Sequence, residues 1–367
     1  MKILHISDLH IGKKISGYSL LEDQKYFLDN TIKFMKDKGI SHLIVSGDIY
    51  DVSLPSGEAI SIFNDFLNQL SNEGIKAFII SGNHDSKDRV GYGSKLIAKS
   101  NIYINSDIKE AIKPICVDGI NYYLIPYASA SEINTVFNQS FKTYDEAFAY
   151  VISLMNIDKS KINIAVSHQL VLGKNQILLG GSEEPIIGTI QNISADVFKD
   201  FTYTALGHIH RPQNISDRIR YSGSPLPYHI DETKYKKNYI ILDITKDTLS
   251  ISLEEIVPKR RTVELKGSFD DIINNHKDEG NSYVYATITE GSRVDNAMAI
   301  LKNTYPYAIS IRYLMNEVEG IDITKKISDI ENKNPFDLFS EFYFKQTGNE
   351  LNSYQIDIVN QLLKEEE

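Results

Sequence analysis

The chain of 367 residues has no tryptophan and a single cysteine, Cys116. One cysteine cannot form a disulfide within the chain, which excludes a disulfide-stapled secreted domain and makes the reducing cytoplasm the expected compartment. We expect Cys116 to be a buried apolar residue, because it stands in the strand-like run Pro114-Ile115-Cys116-Val117. We find no signal-like apolar stretch and no apolar run of membrane length, and therefore expect a protein that is neither secreted nor membrane-embedded.

The chain also has fewer basic residues than acidic ones. Lys and Arg total 39 against 49 Asp and Glu, which gives a formal net charge of -10. Nonspecific DNA affinity comes mainly from Lys and Arg that neutralise phosphates, so the composition argues against a generally basic DNA-binding surface. Bound divalent cations would change the sign of the potential locally.

The first half of the chain alternates between short apolar runs and stretches with helical spacing. Strands are predicted at 2–7, 42–46 and 77–80, with helices between them, and this βαβαβ order predicts a mostly parallel sheet. The pair Asp118-Gly119 predicts a hairpin turn between two further strands. Strands of the same kind are predicted later in the chain, at 112–117, 120–125, 162–166, 203–206, 239–244 and 248–253.

Five blocks of potential metal ligands each follow a predicted strand. They are Asp8-Leu9-His10, Gly47-Asp48-Ile49-Tyr50-Asp51, Gly82-Asn83-His84-Asp85, Ser167-His168 and Gly207-His208-Ile209-His210. One such block alone is usually a turn or a helix cap. Ligands gather at the carboxyl ends of strands in an open α/β sheet, so five blocks in these places predict one crevice.

The seven candidate ligands divide into two sets that share one carboxylate. One ion would be held by Asp8, His10, Asp48 and His210, and the other by Asp48, Asn83, His168 and His208. Imidazole, carboxylate and amide oxygen suit divalent hydrolytic metals. Two carboxylates against four metal charges leave a positive well that attracts a phosphodiester. The pattern therefore predicts hydrolysis of a phosphoryl ester at a two-metal centre.

His84 directly follows the candidate ligand Asn83 and would point away from it in an extended loop. We therefore expect His84 to act as a catalytic acid rather than as a ligand. The Asp51 carboxylate is the second catalytic candidate, because a carboxylate partner would orient the imidazole and favour its charged form. Asp85 could orient His84 instead, and the sequence leaves this choice open. The remaining His5, His42, His229 and His276 are interpreted as structural.

Two short basic segments are candidates for DNA contact. They are Lys13-Lys14, which follows the first block, and Lys259-Arg260-Arg261, which lies in a linker. The lysines Lys234, Lys236 and Lys237 could also rim the cleft. In each case the alternative is an ordinary solvated surface.

The last hundred residues differ from the first part. From residue 262, alternating runs separated by two helix-like stretches suggest a small α+β domain. A polar linker at 325–334 then leads into two amphipathic stretches around Gly348-Asn349, which predict a helical hairpin whose apolar face would seek another chain. The predicted domains are 1–258, 259–324 and 335–367.

The order and content of the five blocks resemble the calcineurin-like metallophosphoesterase superfamily. The motifs are Asp-x-His, Gly-Asp-x-x-Asp, Gly-Asn-His-Asp, a lone His and Gly-His-x-His. The residues around them, at 4–12, 205–213 and 221–225, are similar to the SbcD-like DNA nuclease subunits of that superfamily. One departure is Tyr228-His229-Ile230-Asp231-Glu232, where the family more often has Ser-Phe before the acid. This difference leaves the predicted ligands untouched.

The resemblance implies an α/β fold, namely a four-layer metallophosphoesterase sandwich of two central mixed sheets flanked by helices. It also implies a small capping domain that contacts DNA and a helical tail that docks on an SbcC-like coiled-coil ABC ATPase subunit. The implied cofactors are two divalent metal ions, Mn²⁺ being expected. The implied activities are 3'-5' exonuclease action on double-strand ends and endonuclease action on single strands or hairpins, by a homodimer within a heterotetramer.

Two alternatives stay open. The first is another metallophosphoesterase, either a phosphatase or a small-nucleotide phosphodiesterase, although such an enzyme does not need residues 262–367. The second is a nonenzymatic DNA-tethering subunit. The intact ligand set argues against it, because buried charges are costly without a metal.

Overall fold

The computed structural model describes residues 1–173, 192–289, 293–314, 336–337, 339–340, 343–344 and 350–364. The chain divides into two compact units, Met1–Tyr313 and Leu314–Glu367. The first unit extends past residue 258, so this division of the chain does not test the domain boundary predicted there. That boundary stays a prediction. In the part of the chain that the structure describes, none of the helices has both the length and the apolar character needed to cross a bilayer.

Among the described residues, the strands of the first unit belong to two large sheets, one small sheet and two short ribbons. In chain order they are β1 (Lys2–Ile6), β2 (Lys14–Ile15), β3 (Tyr18–Ser19), β4 (His42–Ser46), β5 (Lys76–Ile80), β6 (Ile102–Asn105), β7 (Ile115–Val117), β8 (Ile120–Ile125), β9 (Ile162–His168), β10 (Val171–Leu172), β11 (Ile193–Ser194), β12 (Tyr203–Gly207), β13 (Gln213–Asn214), β14 (Ile219–Tyr221), β15 (Asn238–Ile244), β16 (Leu249–Glu255), β17 (Thr262–Gly267), β18 (Tyr283–Ile288) and β19 (Ala308–Tyr313).

The helices include the two long ones predicted between the first strands. They are α1 (Leu21–Lys38), α2 (Gly57–Asn72), α3 (Lys87–Gly91), α4 (Ser94–Ile97), α5 (Ala130–Phe137), α6 (Tyr144–Ser153), α7 (Phe269–Asn275), α8 (Ala297–Thr304) and, in the second unit, α9 (Ser353–Lys364). Local signals explain their ends. The Ser56 side chain accepts a hydrogen bond from Ala59 N–H at the start of α2, and Gly39 ends α1 in the left-handed conformation.

Both large sheets are mixed. The first has the order β16-β15-β1-β4-β5-β6, in which β1, β4, β5 and β6 are parallel, β15 is antiparallel to β1, and β16 is antiparallel to β15. The second has the order β13-β14-β12-β9-β8-β7, with antiparallel strands at its edges. The predicted hairpin joins β7 to β8, and both Asp118 and Gly119 have positive φ, as its turn requires.

Side-chain alternation along the buried strands explains why the sandwich has four layers. On β4, Leu43 and Val45 pack in the cluster beneath α1 and α2, whereas Ile44 packs in the cluster between the two sheets. A strand points successive side chains to opposite faces, so an unbroken apolar run covers both. Helix α6 covers the outer face of the second sheet. The expected order of helices, sheet, sheet and helices is confirmed.

Two buried histidines join the sheets, which supports their structural interpretation. His5 Nδ1 lies 3.1 Å from the Tyr203 hydroxyl, and His42 Nδ1 lies 2.6 Å from the Tyr122 hydroxyl. Burial lowers the pKa of His5 to about 3, so this ring is neutral. The expectation for Cys116 is wrong. It is exposed on β7, an edge strand that is covered less completely than the central ones.

The region after residue 260 forms its own small sheet, in the order β17-β18-β19. Its strands are all parallel, since α7 and α8 provide the crossovers, so the expected α+β domain is built as βαβαβ. It has its own apolar core, which includes Ile272, Val284 and Leu301. In the second unit, α9 lies within the predicted hairpin, whereas the linker 325–334 and the turn Gly348-Asn349 lie outside the described residues.

Candidate metal centre

The five predicted blocks meet because five parallel strands end at one edge of the sandwich. In the first sheet Ile6 is level with Val45, and Ser46 with Ile80; in the second sheet Gly207 is level with His168. Main-chain hydrogen bonds join the first two loops, with Asp8 N–H donating to Gly47 O at 3.1 Å. Similar bonds follow along the same loops, from His10 N–H to Asp48 O and from Ile11 N–H to Ile49 O.

Four of the seven candidate ligands have a strained backbone. Asp8, His10, Asp48 and His208 all have positive φ, at 53°, 43°, 48° and 95°. Such conformations cost about 1–3 kcal/mol each outside glycine and persist where the surrounding structure enforces them. Asp and His tolerate this region better than most residues. The strain therefore accompanies the side chains that the sequence analysis assigns to metal binding.

The first ligand group consists of Asp8, His10 and His210. Their ligand atoms all lie within 4.8 Å of one another, and all three residues are buried. His10 Nε2 and His210 Nε2 are 3.0 Å apart. Two ring nitrogens that face each other across this distance must share either a proton or a cation.

The second ligand group consists of Asn83, His168 and His208. The Asn83 Oδ1 atom lies 3.0 Å from His168 Nε2 and 3.0 Å from His208 Nδ1. One amide oxygen and two imidazoles thus converge on one point. The groups also touch, because His208 N–H donates to Asp8 Oδ1 at 2.9 Å.

Asp48 lies between the two groups, as predicted for a bridging ligand. Its Oδ2 atom is 3.5 Å from His10 Nε2 and 3.2 Å from His168 Nε2. Burial acts against the charge of Asp48, but the neighbouring His168 holds the pKa of this carboxyl below its ordinary value. In turn Asp48 outweighs the effect of burial on His168 and raises the pKa of that imidazole to about 9. The carboxylate thus attracts a cation, and the donor set fits two divalent ions.

Steric crowding explains why glycine directly precedes two of the candidate ligands, a reason that the sequence analysis did not state. Gly47 has φ +88°, and a Cβ there would overlap the His168 ring, with its Cγ at 2.7 Å. A Cβ on Gly207 would overlap Ser46 O and come within 2.8 Å of His168 Nδ1. The Gly-Asp and Gly-His pairs therefore let ligands of neighbouring loops approach closely. The repeated glycine directly before a ligand was the available signal.

Glu232, which the sequence analysis left without a role, contacts one of the candidate ligands. It is fully buried, and its Oε1 atom lies 3.1 Å from His210 Nδ1. Its other oxygen accepts hydrogen bonds from Lys237 Nζ at 2.5 Å and Ser224 Oγ at 3.0 Å. Despite burial, Lys237 and His210 lower the pKa of Glu232 to about 2. The carboxylate fixes which nitrogen of His210 faces the centre.

His84 reaches the same space but is held differently from the prediction. Its Nδ1 atom lies 2.8 Å from the main-chain oxygen of Asp51, not from the carboxylate. Its ring meets His10 edge-on at 4.7 Å between centroids. His84 also forms a potential ligand group with His10 and Asp48. With Nδ1 held by the carbonyl, Nε2 is the nitrogen left to serve the site.

The two carboxylates proposed to orient His84 have other partners. Asp51 Oδ1 accepts a hydrogen bond from Lys13 Nζ at 3.1 Å and lies 3.4 Å from His10 Nδ1. Asp85 accepts main-chain N–H groups of Ile49, Tyr50 and Gly82 at 2.9–3.0 Å, and so ties the second block to the third. Neither carboxylate orients His84, so both alternatives of the prediction are corrected: the main-chain carbonyl of Asp51 holds the ring instead. The carbonyl was missed because every residue has one.

Two of the basic DNA-contact candidates form ion pairs within the structure. Lys13 is only 6% exposed and bonds to Asp51. Arg260 donates to Asp23 and Glu22 and lies over the Tyr307 ring at 4.7 Å. The prediction for Lys13 is corrected, because its buried ammonium group is paired with Asp51, whereas Arg260 is partly exposed and stays a prediction.

The other basic candidates are nearer the surface. Lys259 pairs with Glu22 at 2.8 Å, Arg261 pairs with Glu279, and Lys14 is exposed on β2. These three stay predictions. Among the lysines considered for the cleft rim, Lys237 is buried against Glu232, which rules it out as a phosphate contact.

Two family models match regions of the chain. A family model described as calcineurin-like phosphoesterase matches residues 1–212, and one described as the type 5 capsule protein repressor C-terminal domain matches residues 258–347. The chain is similar to the SbcD subunit of the nuclease SbcCD from Staphylococcus saprophyticus subsp. saprophyticus. The identity is 33% over 376 residues, covering 99% of this chain and 98% of the relative.

Two solved structures overlap part of the chain. They are TT1561 of Thermus thermophilus, with a TM-score of 0.42, and a dimetal phosphatase from Danio rerio, with a TM-score of 0.41. Each is 11% identical, and the overlaps cover 69% and 70% of this chain and 98% and 96% of the other chains. Scores at this level describe only a partial overlap.

Proposed function

Because the chain belongs to the calcineurin-like phosphoesterase family, and within it resembles SbcD-like nuclease subunits along its whole length, we propose that it hydrolyses DNA phosphodiesters with two divalent metal ions. The observation that carries the proposal is the position of Asp48. A single oxygen of this carboxylate lies within 3.5 Å of an imidazole nitrogen from each ligand group. One carboxylate shared by two such groups is the arrangement that a pair of ions requires.

The residues that would hold the ions are those of the two ligand groups, together with Asp48. Bound divalent ions supply Lewis acidity, a more acidic water and a clamp on the attacking and leaving oxygens. We propose Mn²⁺ as the ion, since the carboxylate and amide oxygens of the set suit it and the resemblance to SbcD-like nuclease subunits implies it. Asp48 and Asp8 contribute two negative charges, so the loaded centre keeps the net positive charge that a phosphodiester needs.

His84 is proposed to donate the proton that the leaving oxygen takes up. Its Nδ1–H donates to the Asp51 carbonyl, which fixes the ring and leaves Nε2 as the site where a proton is gained or lost. The edge-on contact with His10 keeps this ring beside the first ligand group. His84 would then act on the substrate while the ligands hold the ions.

DNA is proposed as the substrate because the relative is named a nuclease and because residues 262–313 form a second body beside the sandwich. We propose 3'-5' exonuclease action on double-strand ends and endonuclease action on single strands and hairpins. Repair and recombination of broken DNA would be the setting, in the cytoplasm. A phosphatase or small-nucleotide phosphodiesterase would have no evident use for the added body.

The test is digestion of end-labelled duplex, hairpin and single-stranded DNA with Mn²⁺, beside a phosphopeptide and a cyclic nucleotide. We expect cleavage of DNA alone, and none by Asp48→Ala. Faster hydrolysis of the phosphopeptide or cyclic nucleotide would favour the other metallophosphoesterase classes. DNA binding without cleavage of any substrate would favour the tethering role.

The proposed partner is an SbcC-like coiled-coil ABC ATPase that binds the segment 335–367. This segment is rich in aromatic and aliphatic residues, and in α9 the side chain of Ile358 is 39% exposed. Truncation after Asn334 should leave Mn²⁺-dependent cleavage of single strands intact and abolish co-purification with the ATPase. Assembly of the truncated chain with the ATPase would contradict this docking role.

A homodimer is proposed within that complex. Large apolar side chains are exposed on two stretches of sequence, 52–54 and 92–96, including Val52, Leu54, Tyr92 and Leu96. A second copy of the chain would cover such surfaces. Sedimentation of the full chain tests this, and Leu54→Asp with Leu96→Asp should shift a dimer to a monomer.

A further inference from the structure

Within the first compact unit, residues 262–313 form a small domain, called the 262–313 unit below, that packs on the sandwich. We call the surface between them the seam. Its apolar part joins residues of the sandwich to residues of the small sheet, and consists of Ile15, Leu20, Leu226, Tyr228, Tyr283, Tyr285 and Ile309. Tyr18 adds a hydrogen bond from its hydroxyl to Pro306 O at 2.9 Å. The seam lies within one compact unit of the structure.

Asp23, in the first turn of α1, is the polar anchor of the seam. It is 1% exposed, and its Oδ2 atom accepts hydrogen bonds from Arg260 Nη1 at 2.8 Å and from the Tyr283 hydroxyl at 2.8 Å. Arg260 leads into β17 and Tyr283 begins β18. A buried carboxylate is costly without such partners, so both donors are needed at this place.

Gln24, the next residue of α1, holds the loop that carries His10. Its amide nitrogen donates to His10 O at 2.6 Å and to Leu9 O at 3.2 Å, and its oxygen accepts from Gly12 N–H at 2.9 Å. Gln24 is buried. A single helical turn therefore binds the seam with one residue and the ligand loop with the next.

Tyr228 makes a second connection between the seam and the same ligand group. Its ring is part of the seam, yet it also meets the rings of His10 and His210 edge-on, at 5.4 and 5.6 Å between centroids. Its hydroxyl donates to Leu9 O at 2.6 Å. The Leu9 carbonyl thus accepts hydrogen bonds from both routes.

We propose that Asp23, Gln24 and Tyr228 are positioning residues through which docking of the 262–313 unit sets the first ligand group, while the second group is set inside the sandwich. His168, in the second group, is held by Ser46 O, 2.7 Å from its Nδ1 atom, a contact that involves no seam residue. The proposal rests on the two-ion centre proposed above. Coupling of this kind is reciprocal, so binding of the first ion must also strengthen the seam.

The experiment compares Arg260→Ala with Arg261→Ala in the full chain. These are adjacent cations, but Arg261 pairs with Glu279 rather than with α1, which makes it the matched control. Calorimetric titration with Mn²⁺ should show that Arg260→Ala lowers the affinity for one ion about tenfold. Arg261→Ala should change the affinity for neither ion. Repeating Arg260→Ala in the Asn83→Ala and His210→Ala backgrounds identifies the ion, since the loss should appear only where the first group is intact.

Amide hydrogen exchange supplies a readout independent of activity. Mn²⁺ should slow exchange at Tyr283 N–H, which bonds to Arg261 O, and Arg260→Ala should remove that protection. Tyr283→Phe deletes only the hydroxyl bond to Asp23 and keeps the test usable if Arg260→Ala does not fold. Equal weakening of both ions, or wild-type affinities in a variant whose seam exchanges faster, would overturn the coupling. A wild-type chain that takes up no Mn²⁺ would instead overturn the two-ion centre.

Discussion

The two halves of the metal centre differ in what holds their histidines. In the first group, side chains add to the main-chain bonds of the loops: Gln24 and Tyr228 bind the loop of His10, and Glu232 binds the ring of His210. In the second group, a main-chain carbonyl and close-packed glycines surround His168. Side-chain supports can be loosened one at a time, whereas main-chain supports change only with the sheet itself. The first half should therefore be the adjustable one.

The largest effect is expected when the carboxylate that the two halves share is removed. Asp48→Ala should abolish tight binding of both Mn²⁺ ions, because its Oδ2 atom faces one imidazole from each group. His210→Ala should weaken only one ion and Asn83→Ala only the other. Calorimetric titration separates these outcomes. Two ions bound by Asp48→Ala at wild-type affinity would show that the halves do not share this carboxylate.

The next largest effect is expected at His84, and it distinguishes proton transfer from metal binding. His84→Ala should keep both ions and lose about 10² to 10⁴ in rate, the usual contribution of a general acid. Single-turnover cleavage of labelled DNA at saturating Mn²⁺ measures the rate, and titration checks the ions. Because His84 also forms a potential ligand group with His10 and Asp48, loss of an ion would reassign it as a ligand.

Much of this site could be predicted from the sequence because it depends on local order. Asp8, Asp48 and His168 follow short apolar runs of the length typical of buried strands, and parallel strands bring such positions to one edge. Which partner a side chain meets depends on the packing of distant segments. In the sequence Arg260 is one of three linker cations, and only the packing of β17 and β18 brings it against Asp23, which is 237 residues away.

The second half can be tested through its glycines. Gly47→Ala adds a methyl group at φ +88° that would overlap the His168 ring, at a cost of about 2–4 kcal/mol from backbone strain and crowding together. Gly17→Ala is the matched control, because Gly17 also has φ +88° but no neighbour within 4 Å of the added carbon. Denaturant unfolding in chelator gives the difference. If both variants lose the same stability, close approach to His168 contributes nothing.

The first half is tested by Glu232→Gln. The amide can still meet His210 but lacks the charge that balances buried Lys237, so we expect a roughly tenfold to hundredfold loss of affinity for one ion. Glu255→Gln removes an exposed acid paired with Lys236 and should leave both ions unchanged. An equal loss at both ions would contradict a separate support for the first half.

The smallest effect is expected for Asp51→Asn, and it separates the carbonyl of this residue from its carboxylate. His84 is held by the main-chain oxygen, which the substitution retains, so turnover should fall by no more than a few-fold, far less than for His84→Ala. The carboxylate itself bonds to Lys13 and lies 3.4 Å from His10 Nδ1, and an asparagine oxygen can still accept the hydrogen bond from Lys13. A loss comparable to that of His84→Ala, with both ions retained, would return the orienting role to the carboxylate. Weakening of the first ion alone would instead add Asp51 to the side chains that support His10.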